Sequence, residues 1–558
     1  MVTAMDKWQV GRTLDEIAGY VELSETNRFK ATAYERAARA VSALDRDLEE
    51  LVTSGEIYNV SGIGKATGAV IDELLRTGSS HYLEELRKQY PPGVFDLLRV
   101  PRLGLRKIGI LHSKLGIGNL DELETACRTG RVAGLKGFGE KTQQKMLEGI
   151  AYARKRESHF LLPYGLEAGE SLRERLTDID EIENAEIGGA VRRRLEVIHN
   201  VEIVIATKQA ARVMKALENF VDRFEAIDPQ TAKGLAHGDM EVIFHVVKPN
   251  EFAWKLFETT GSREFIAAFP AGGKRQAASE EEIFKASQIP FIAPERRETV
   301  DDLKLKKKRS LVKFEDLRGT FHVHTTYSDG RNTIAEMLGA ARDRGFEYVG
   351  ISDHSKAAFY AGGLDETRLK QQQTEIAIEA RTVKPMRVFK GTEADILADG
   401  TIDYDPKTLA AFDFVIASVH SRFAMPKDEM TERIVRALQN PFVTFLGHLT
   451  GRLLLSRDGY TMEFDRVFEE AGKRGVMIEI NGNPNRLDID WRLVQRALDR
   501  GVMFSIHPDA HSIREYNALM TGTWVARKAG LSKREIFNTR PIDEVEEYLR
   551  HSRMNAER

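Results

Sequence analysis

Cysteine is almost absent from this 558-residue chain, in which Cys127 is the only one. One thiol cannot form an intrachain disulfide, and it excludes any zinc site built from several thiolates. Such a chain suits a reducing compartment, and we expect it in the cytoplasm. Long apolar runs are missing as well. No stretch approaches the ~18 apolar residues of a membrane helix, and the N-terminus has no apolar signal segment, so we expect neither a membrane span nor export.

An excess of charge of either sign is also missing. The chain has 82 Lys and Arg against 85 Asp and Glu, which gives a formal net charge of −3. This balance neither indicates nor excludes binding to nucleic acid, so local clusters of charge have to decide. With 42% hydrophobic and 30% charged residues, the composition is typical of a globular protein, and the length is sufficient for three or four domains.

The most informative short motif is His322-Val323-His324 in the C-terminal half. The apolar run 317–323 predicts a strand, and alternate side chains of a strand point to the same face. Two neutral imidazoles that converge at a strand end can bind one divalent metal ion, with Asp329 nearby as a further ligand. Taken alone, the motif is equally compatible with a half-buried surface pair.

Six more short runs rich in β-branched and aromatic residues follow, separated by helix-like segments. The runs are 346–351, 386–390, 412–419, 442–447, 476–480 and 502–506; the polar residues at or beyond their ends are Asp353, His354, Glu393, His420, His448, Asn481, Asp509 and His511, and Glu479 lies inside the fifth run. Strands that alternate with helices predict a parallel sheet. In a closed barrel of this type, functional residues lie at the C-terminal ends of the strands. Each residue alone could be an ordinary loop residue, but their repeated placement favours a shared metal site.

Two glycine-rich turns in the N-terminal third each precede a helix-like segment. The first contains Gly62, Gly64 and Lys65, and the second contains Gly137, Gly139 and Lys141. A turn of this kind exposes backbone N–H groups at a helix N-terminus, where they can bind a DNA phosphate without reading sequence. The pattern resembles a helix-hairpin-helix motif, and a purely structural helical turn is the alternative. A third copy at 100–107 has Arg102 in place of its first glycine.

The segment 189–196 (Gly-Ala-Val-Arg-Arg-Arg-Leu-Glu), followed by Asn200-Val201-Glu202, resembles the nucleotidyltransferase signature of a glycine turn, arginines and two acids on a strand. With the motifs on either side, nearly the whole chain resembles a bacterial family X DNA polymerase with a C-terminal polymerase-and-histidinol-phosphatase (PHP) domain. The resemblance implies a multidomain α/β protein with helical helix-hairpin-helix domains, a nucleotidyltransferase-like α+β palm and thumb, and a C-terminal (βα)7 PHP barrel. The implied boundaries are 1–90 and 91–155 for the hairpin domains, 156–250 for the palm, 251–300 for the thumb, 301–316 for a basic linker and 317–558 for the PHP domain. The basic run 304–309 in the linker could instead contact DNA.

The polymerase motifs depart from the family pattern. Nucleotidyl transfer needs two metal ions held by clustered carboxylates. The aligned positions hold Asn200, Glu202 and Ile243, of which only Glu202 is acidic. We therefore expect a degenerate polymerase core that serves as a scaffold or DNA clamp. The alternative is another register, in which Glu202 or Glu241 acts with other acids. Val70 occupies the position of the lysine that gives some relatives lyase activity at abasic sites, so that activity is not expected.

The same resemblance implies that the strand-end residues bind three divalent metal ions, and imidazole with carboxylate ligands suits zinc, manganese or iron. The implied ligands are His322, His324, Glu393 and Asp509 for one ion, Glu393 again with His420 and His448 for a second, and Asp329, His354 and His511 for the third. Asp353, Arg452 and Arg486 are candidate catalytic residues, the first as an acid that orients an imidazole and the arginines as clamps on a substrate phosphate. A strand-end cap and surface ion pairs are the alternative roles.

The combined pattern implies a DNA-binding, metal-dependent phosphoesterase, namely a 3′→5′ exonuclease that processes 3′ ends in DNA repair while its polymerase core is inactive. The alternatives are an active family X polymerase with a PHP exonuclease, a non-catalytic DNA-binding scaffold, and a small-molecule phosphatase. The expected partner is DNA with a gap or a free 3′ end, contacted through its phosphates. We expect a monomer associated with the nucleoid, and no motif identifies a protein partner.

Overall fold

The structure, a computed structural model, describes residues 5, 7–23, 28–42, 44, 46–91, 93–100, 103–155, 159–236, 240–270, 276–304 and 308–556. The chain divides into two compact units, Met1–His159 and Phe160–Arg558. In the described part of the chain, no helix is long and apolar enough to cross a membrane.

The first unit is helical. Its described helices are α1 (Lys7–Leu23), α2 (Arg28–Ser42), α3 (Leu48–Thr53), α4 (Lys65–Thr77), α5 (His81–Arg87), α6 (Leu105–Leu115), α7 (Leu120–Arg128) and α8 (Gly139–Lys155). The apolar residue of each predicted hairpin turn, Ile63, Leu103 or Phe138, is buried in one shared core. Burial of this residue fixes each turn in front of its helix. In the third turn, Pro101 and Arg102 lie outside the described residues.

The second unit begins with a five-stranded sheet. Its elements are β1 (Phe160–Leu161), α9 (Leu162–Thr177), β2 (Asn184–Ile187), α10 (Gly189–Arg192), β3 (Val197–Ile198), β4 (Asn200–Ala206), α11 (Ala210–Leu217), β5 (Asp222–Asp228), β6 (Thr231–Ala236) and β7 (Met240–Val247). The strand order is β2-β4-β7-β6-β5, with β4 and β7 parallel and the other neighbours antiparallel. Alternate residues of β7, including Val242 and Phe244, are buried in the core that also contains residues of α9 and α11. The opposite face carries Asn200, Glu202 and Ile243.

Three helices follow the sheet: α12 (Phe252–Thr260), α13 (Arg263–Ala268) and α14 (Glu280–Ala286). Phenylalanines at 257, 265, 269 and 284 form a small core of their own. Buried ion pairs connect this region to both of its neighbours. Glu280 binds both Arg192, through two hydrogen bonds of 2.9 and 2.7 Å, and Arg297. Glu298 lies 2.8 Å from Arg193 of the palm and 3.0 Å from Lys528, which belongs to the region that follows.

That region contains seven parallel strands in sequence order. They are β8 (Gly319–Thr320), β9 (Tyr348–Ile351), β10 (Arg387–Asp395), β11 (Phe414–Ser418), β12 (Phe445–Leu446), β13 (Met477–Asn481) and β14 (Phe504–His507). The helices are α15 (Ile334–Asp343), α16 (Glu366–Glu379), α17 (Pro406–Leu409), α18 (Lys427–Leu438), α19 (Phe464–Arg474), α20 (Trp491–Leu498), α21 (Ala518–Lys528) and α22 (Ile542–Ala556). The predicted multidomain α/β class with a parallel seven-stranded barrel is therefore confirmed.

The barrel closes between its first and last strands. The His324 amide donates to the Ala510 carbonyl (2.9 Å), and the Ala510 amide donates to the His322 carbonyl (3.2 Å). Beside this contact, the fully buried Asn538 fills the seam. Its side-chain amide donates to the carbonyls of Gly319 (2.9 Å) and Ile506 (2.8 Å), and its side-chain oxygen accepts from the Ile506 amide (2.9 Å). One side chain thus satisfies backbone groups of both edge strands.

Aromatic side chains fill the barrel interior, where Phe321, Phe414 and Phe445 pack with ring centroids 4.9–6.0 Å apart. Residues of α22, including Val545 and Leu549, belong to the same core. This apolar filling lies beneath the C-terminal strand ends, so the polar residues there have a rigid floor.

Candidate metal centre

The nine predicted metal ligands converge at the C-terminal ends of the barrel strands. Six of them are buried, each at most 6% exposed: His322, His324, His354, Glu393, His448 and Asp509. His420 and His511 are half-buried, and Asp329 is exposed. The prediction that regular strand alternation orients His322 and His324 is wrong in its detail. β8 ends at Thr320, and His322 has a left-handed backbone with φ of 62°. This local conformation, rather than the pleat, brings the two rings to 5.2 Å.

Glu393 lies at the centre of the cluster, and its two oxygens face different imidazoles. Oε2 is 3.4 Å from His322 Nε2 and 3.6 Å from His324 Nε2, and Asp509 Oδ1 lies 3.4 Å from both of these nitrogens. Oε1 is 2.9 Å from His448 Nε2 and 3.2 Å from His420 Nε2. The carboxylate is therefore placed to bridge two adjacent ion positions.

A third group surrounds Asp329. Its Oδ1 lies 3.3 Å from His511 Nε2, 3.6 Å from His354 Nε2 and 4.0 Å from His324 Nδ1. His354 also places Nδ1 2.9 Å from Glu393 Oε2. His324 and His354 therefore each lie between the ligand group of Asp329 and the ligand group of Glu393. The assignment from the sequence gave each histidine to one group only.

Several buried ring nitrogens of these histidines form no hydrogen bond. They are Nε2 of His322, both ring nitrogens of His324, and Nδ1 of His354 and His448. A buried polar atom without a partner is costly, and metal coordination satisfies it as well as a hydrogen bond does. Mixed imidazole and carboxylate ligands are the set that zinc, manganese and iron prefer. The residues present thus fit divalent metal ions.

Two acids that the sequence prediction did not assign orient these imidazoles. His322 Nδ1 lies 2.6 Å from Glu479 Oε1, and His420 Nδ1 lies 2.6 Å from Asp395 Oδ1. In each ring the nitrogen opposite the acid, Nε2, faces Glu393. A carboxylate bound at one nitrogen fixes the tautomer and makes the other nitrogen a better metal ligand. Their positions in the sequence could have indicated this role. Asp395 lies two residues after Glu393, and Glu479 lies two residues before Asn481, so each acid is on the same strand face as that strand-end residue.

The charges of the cluster shift its pKa values strongly. Burial opposes ionisation of Glu393, but the neighbouring His420 and His322 outweigh it and hold the pKa of Glu393 well below its usual range. Burial, together with His511 and His354, lowers the pKa of His324 to about 3. Groups that remain carboxylate and neutral imidazole near pH 7 are in the forms that metal binding requires.

The three candidate catalytic residues have different surroundings. Asp353 accepts hydrogen bonds from the Thr325 amide (2.8 Å), the Ser328 hydroxyl and Gln372 (2.6 Å), so it anchors the loop that carries Asp329. Its pKa is raised by burial. Arg452 donates to the Arg486 carbonyl (2.9 Å) and pairs with Asp490 (2.6 Å), so it holds the neighbouring loop.

Arg486 itself points towards the metal centre. Its Nε lies 3.5 Å from Asp509 Oδ2, and the side chain is 18% exposed. Of the two predicted phosphate clamps, Arg486 is therefore the one whose guanidinium lies next to the metal-ligand cluster.

In the palm, the predicted polymerase positions lie side by side. The strand register pairs Asn200 with Glu241 and Glu202 with Ile243. Glu202 Oε2 lies 3.0 Å from His245 Nε2 on the same face. In the part of the chain that the structure describes, groups of three or more potential ligand atoms occur only in the barrel.

The predicted DNA-contacting residues of the hairpins are exposed. Gly62 and Gly137 have φ of 97° and 93°, a conformation that glycine adopts readily. Gly64 is the N-cap of α4, and a side chain at Gly139 or Gly64 would meet no atom within 4 Å. Lys65 and Lys141, at the start of α4 and α8, are exposed as well. The approach to both helix N-termini is thus open.

Comparisons with known proteins match single domains of this chain and also nearly its whole length. Family models match residues 5–80 (helix-hairpin-helix domain), 94–151 (SAM-like helix-hairpin-helix tandem) and 320–483 (PHP domain). The DNA polymerase/3′-5′ exonuclease PolX of Bacillus subtilis is 33% identical over 98% of this chain and 100% of its own length. Probable phosphatases of Caldanaerobacter subterraneus and a Thermoanaerobacter species are 25% and 24% identical over 42% of this chain, and over 91% and 94% of their own lengths.

Proposed function

The chain belongs to the PolX family of DNA polymerases with a C-terminal PHP domain, and on this premise we propose that its barrel hydrolyses phosphodiester bonds at the 3′ ends of DNA. The family and the fold make it a metal-dependent hydrolase with DNA-binding helix-hairpin-helix domains. The observation that carries the proposal is the convergence of nine imidazole and carboxylate side chains, with Glu393 at their centre. The full-length similarity to a named 3′-5′ exonuclease favours DNA over a small phosphate ester as the substrate.

We assign three divalent ions, zinc, manganese or iron, to the ligand groups described above. Bound ions of this kind supply a water with a pKa near neutrality and positive charge for phosphate oxygens. The chain positions these ligands through Glu479 and Asp395, which hold His322 and His420. Arg486 supplies a fixed cation for a non-bridging phosphate oxygen, since guanidinium matches phosphate geometry. Asp353 and Arg452 hold the two loops that carry Asp329 and Arg486.

The palm, in this proposal, no longer transfers nucleotides. Ile243 occupies the neighbouring position to Glu202, and Glu202 is engaged by His245. Arg192 is bound to Glu280, so it is not free for a nucleotide phosphate. One observation favours the alternative, an active polymerase: Glu241 lies opposite Asn200 on the same sheet face as Glu202, which gives that face two carboxylates.

The helix-hairpin-helix domains hold the DNA duplex through its phosphates. The open N-termini of α4 and α8, each with an exposed lysine, support phosphate contacts that do not depend on base sequence. We propose the domain boundaries given by the sequence prediction: hairpin domains at 1–90 and 91–155, palm at 156–250, thumb at 251–300, linker at 301–316 and PHP domain at 317–558. Part of the linker run, residues 305–307, lies outside the described residues.

The decisive experiment is a nuclease assay on oligonucleotides labelled at the 5′ end, with a free or a blocked 3′ end, after loading with Mn²⁺ or Zn²⁺. We expect a ladder of products shortened from the 3′ end, abolished by Asp509→Asn, while DNA binding by that variant is retained. Absence of cleavage by the metal-loaded wild type would refute the proposal. Primer extension, sensitive to Glu202→Gln, would instead establish the polymerase alternative.

A further inference from the structure

Two adjacent aromatic side chains stand out in solvent near the metal centre. Phe359 is 84% and Tyr360 is 63% exposed, and their rings are 6.0 Å apart with an angle of 79° between the planes. They form a single helical turn, Phe359–Ala361, that follows the metal-ligand candidate His354 by five residues. Large aromatic side chains that are exposed to solvent next to a candidate metal site are typical of a ligand-binding surface.

The segment that carries the pair is held in place at its base. The Leu364 amide donates to the His354 carbonyl (2.9 Å), which closes the loop on the ligand residue itself. The Ala357 amide donates to Asp403, and Arg368 donates to the Gly362 carbonyl (2.6 Å). The exposed rings are therefore presented by a fixed loop, which lowers the conformational cost of binding to them.

The turn that carries the pair lies against the loop of Asp329. Gly362, at the end of the turn, packs against Ser328, the neighbour of Asp329. The pair therefore lies next to the loop that carries the metal-ligand candidate Asp329.

We propose that Phe359 and Tyr360 form a stacking platform for the unpaired nucleobase of the 3′-terminal nucleotide. The inference rests on the proposed function and names the part of the substrate that this surface recognises. The cluster and Arg486 select a phosphate ester, and the adjacent rings select a flat aromatic group, so the two together match a nucleotide. Stacking tolerates every base, because each has a π face. The platform therefore favours ends whose last base is unpaired and disfavours ends that lack a base.

A binding experiment tests the platform without metal. A short single-stranded oligonucleotide with 2-aminopurine at its 3′ end is mixed with the full chain in chelator, and the fluorescence of the base is followed. We expect quenching by the wild type and by Tyr360→Phe, which keeps the ring. The double variant Phe359→Ala/Tyr360→Ala should bind without quenching, and Ile378→Ala, which removes another exposed apolar side chain of the barrel, should behave as the wild type.

A cleavage experiment separates the platform from the catalytic proposal. The metal-loaded protein is given the same oligonucleotide with either a normal or an abasic 3′-terminal residue. We expect the wild type to prefer the normal end by roughly tenfold in kcat/KM, the effect of one stacked base, and the double alanine variant to have lost this preference. Equal quenching or equal preference in the wild type and the double variant overturns the platform. Absence of cleavage by both proteins refutes the exonuclease, and the quenching result then decides the platform by itself.

Discussion

At the residue scale, Glu479 connects two parts of the metal centre. It accepts a hydrogen bond from His322 Nδ1 and, through its other oxygen, from the His448 backbone amide, both at 2.6 Å. Burial opposes its ionisation, but His322 lowers the pKa of Glu479 to about 2. One fully buried charge therefore sets the orientation of two metal-ligand candidates on different strands.

We predict that Glu479→Gln lowers metal affinity by about 10- to 100-fold, because the amide keeps the shape but loses the charge that polarises His322. A competition titration with a fluorescent zinc chelator measures this. Glu469→Gln, whose side chain is 66% exposed on α19, is the matched control and should leave the affinity unchanged. Wild-type affinity in Glu479→Gln would show that the acid does not tune the ligand.

Metal binding at neutral pH should release protons. Burial opposes protonation of His420 and His511, but the carboxylates beside them outweigh it, so the pKa of His420 is raised to about 10 and that of His511 to about 9. In metal-free protein these protonated rings stabilise the fold fully below pH ~6.5, and the contribution is lost as the pH rises through 9 to 10. Metal ions need the neutral rings, so apparent affinity should rise with pH up to that range.

Calorimetric titration in two buffers of different ionisation enthalpy checks this prediction. The heat of metal binding at pH 7 should depend on the buffer, and His420→Ala should weaken that dependence. Identical heats in both buffers would contradict the predicted proton release.

The nine proposed ligands could be named from the sequence because they match the PHP pattern, and most of them lie at or shortly after the end of an apolar run. The sequence did not identify Glu479 and Asp395 as partners of His322 and His420. Their role depends on which imidazole faces them across the barrel, at sequence separations of 157 and 25 residues. The roles of Asp353 and Arg452 were likewise undetermined, because their partners lie on loops whose paths no local pattern predicts.

At the scale of elements, one buried side-chain amide reinforces the barrel seam beside the backbone hydrogen bonds to Ala510. Asn538 bonds to three backbone groups of Gly319 and Ile506, and it is fully buried. The run 317–323 predicted the first strand, but only Gly319–Thr320 adopt strand geometry. The seam could not be predicted, because it joins segments about 200 residues apart through a side chain with no local signature.

We predict that Asn538→Ala destabilises the protein by roughly 2–4 kcal/mol, since buried backbone groups lose their partners and a void is left. Urea unfolding monitored by circular dichroism measures the change. Asn485→Ala, which removes an exposed amide, should change the free energy of unfolding by less than about 0.5 kcal/mol. A stability of Asn538→Ala equal to the wild type would mean that solvent replaces these hydrogen bonds.

The hairpin turns of the first unit should act on DNA independently of the barrel. We predict that Lys65→Glu with Lys141→Glu weakens duplex binding and reduces the slope of log affinity against log salt by about one to two, because each contact displaces roughly one counterion. Fluorescence anisotropy across a salt series measures it. Lys88→Glu with Lys114→Glu, at the ends of α5 and α6, is the control with the same charge change. If the slope of log affinity against log salt is unchanged, the duplex does not bind at these two turns.

At the scale of the whole molecule, Lys528 joins the palm and the barrel of the second unit. It is 2% exposed and donates to the carbonyls of Arg193 and Glu295 (both 3.2 Å) and to Glu298 (3.0 Å). On the same interface, Arg194 lies over the Trp524 ring at 4.3 Å. A palm without polymerase function would still be retained in the fold, because its removal exposes this surface.

We predict that Lys528→Ala destabilises the second unit by roughly 3 kcal/mol, the low end for a broken buried ion pair, since Glu298 loses one of two counter-charges and keeps Arg193. Adding Glu298→Gln should recover part of the loss, whereas Lys533→Ala, an exposed neighbour, should have little effect. Thermal unfolding of the three variants measures this. If the double variant is no more stable than the single one, the ion pair is not the source of the effect.

The seam residue has a consequence for biosynthesis. The strand that precedes His322 emerges from the ribosome long before Ala510 and Asn538, so the seam cannot form completely until both of these residues have left the exit tunnel. The N-terminal unit can fold during this interval, as domains generally do in order of synthesis. Nascent chains of this protein therefore expose the unpaired edge of the first barrel strand while roughly 200 further residues are made, and the ion-binding pocket matures only late in translation.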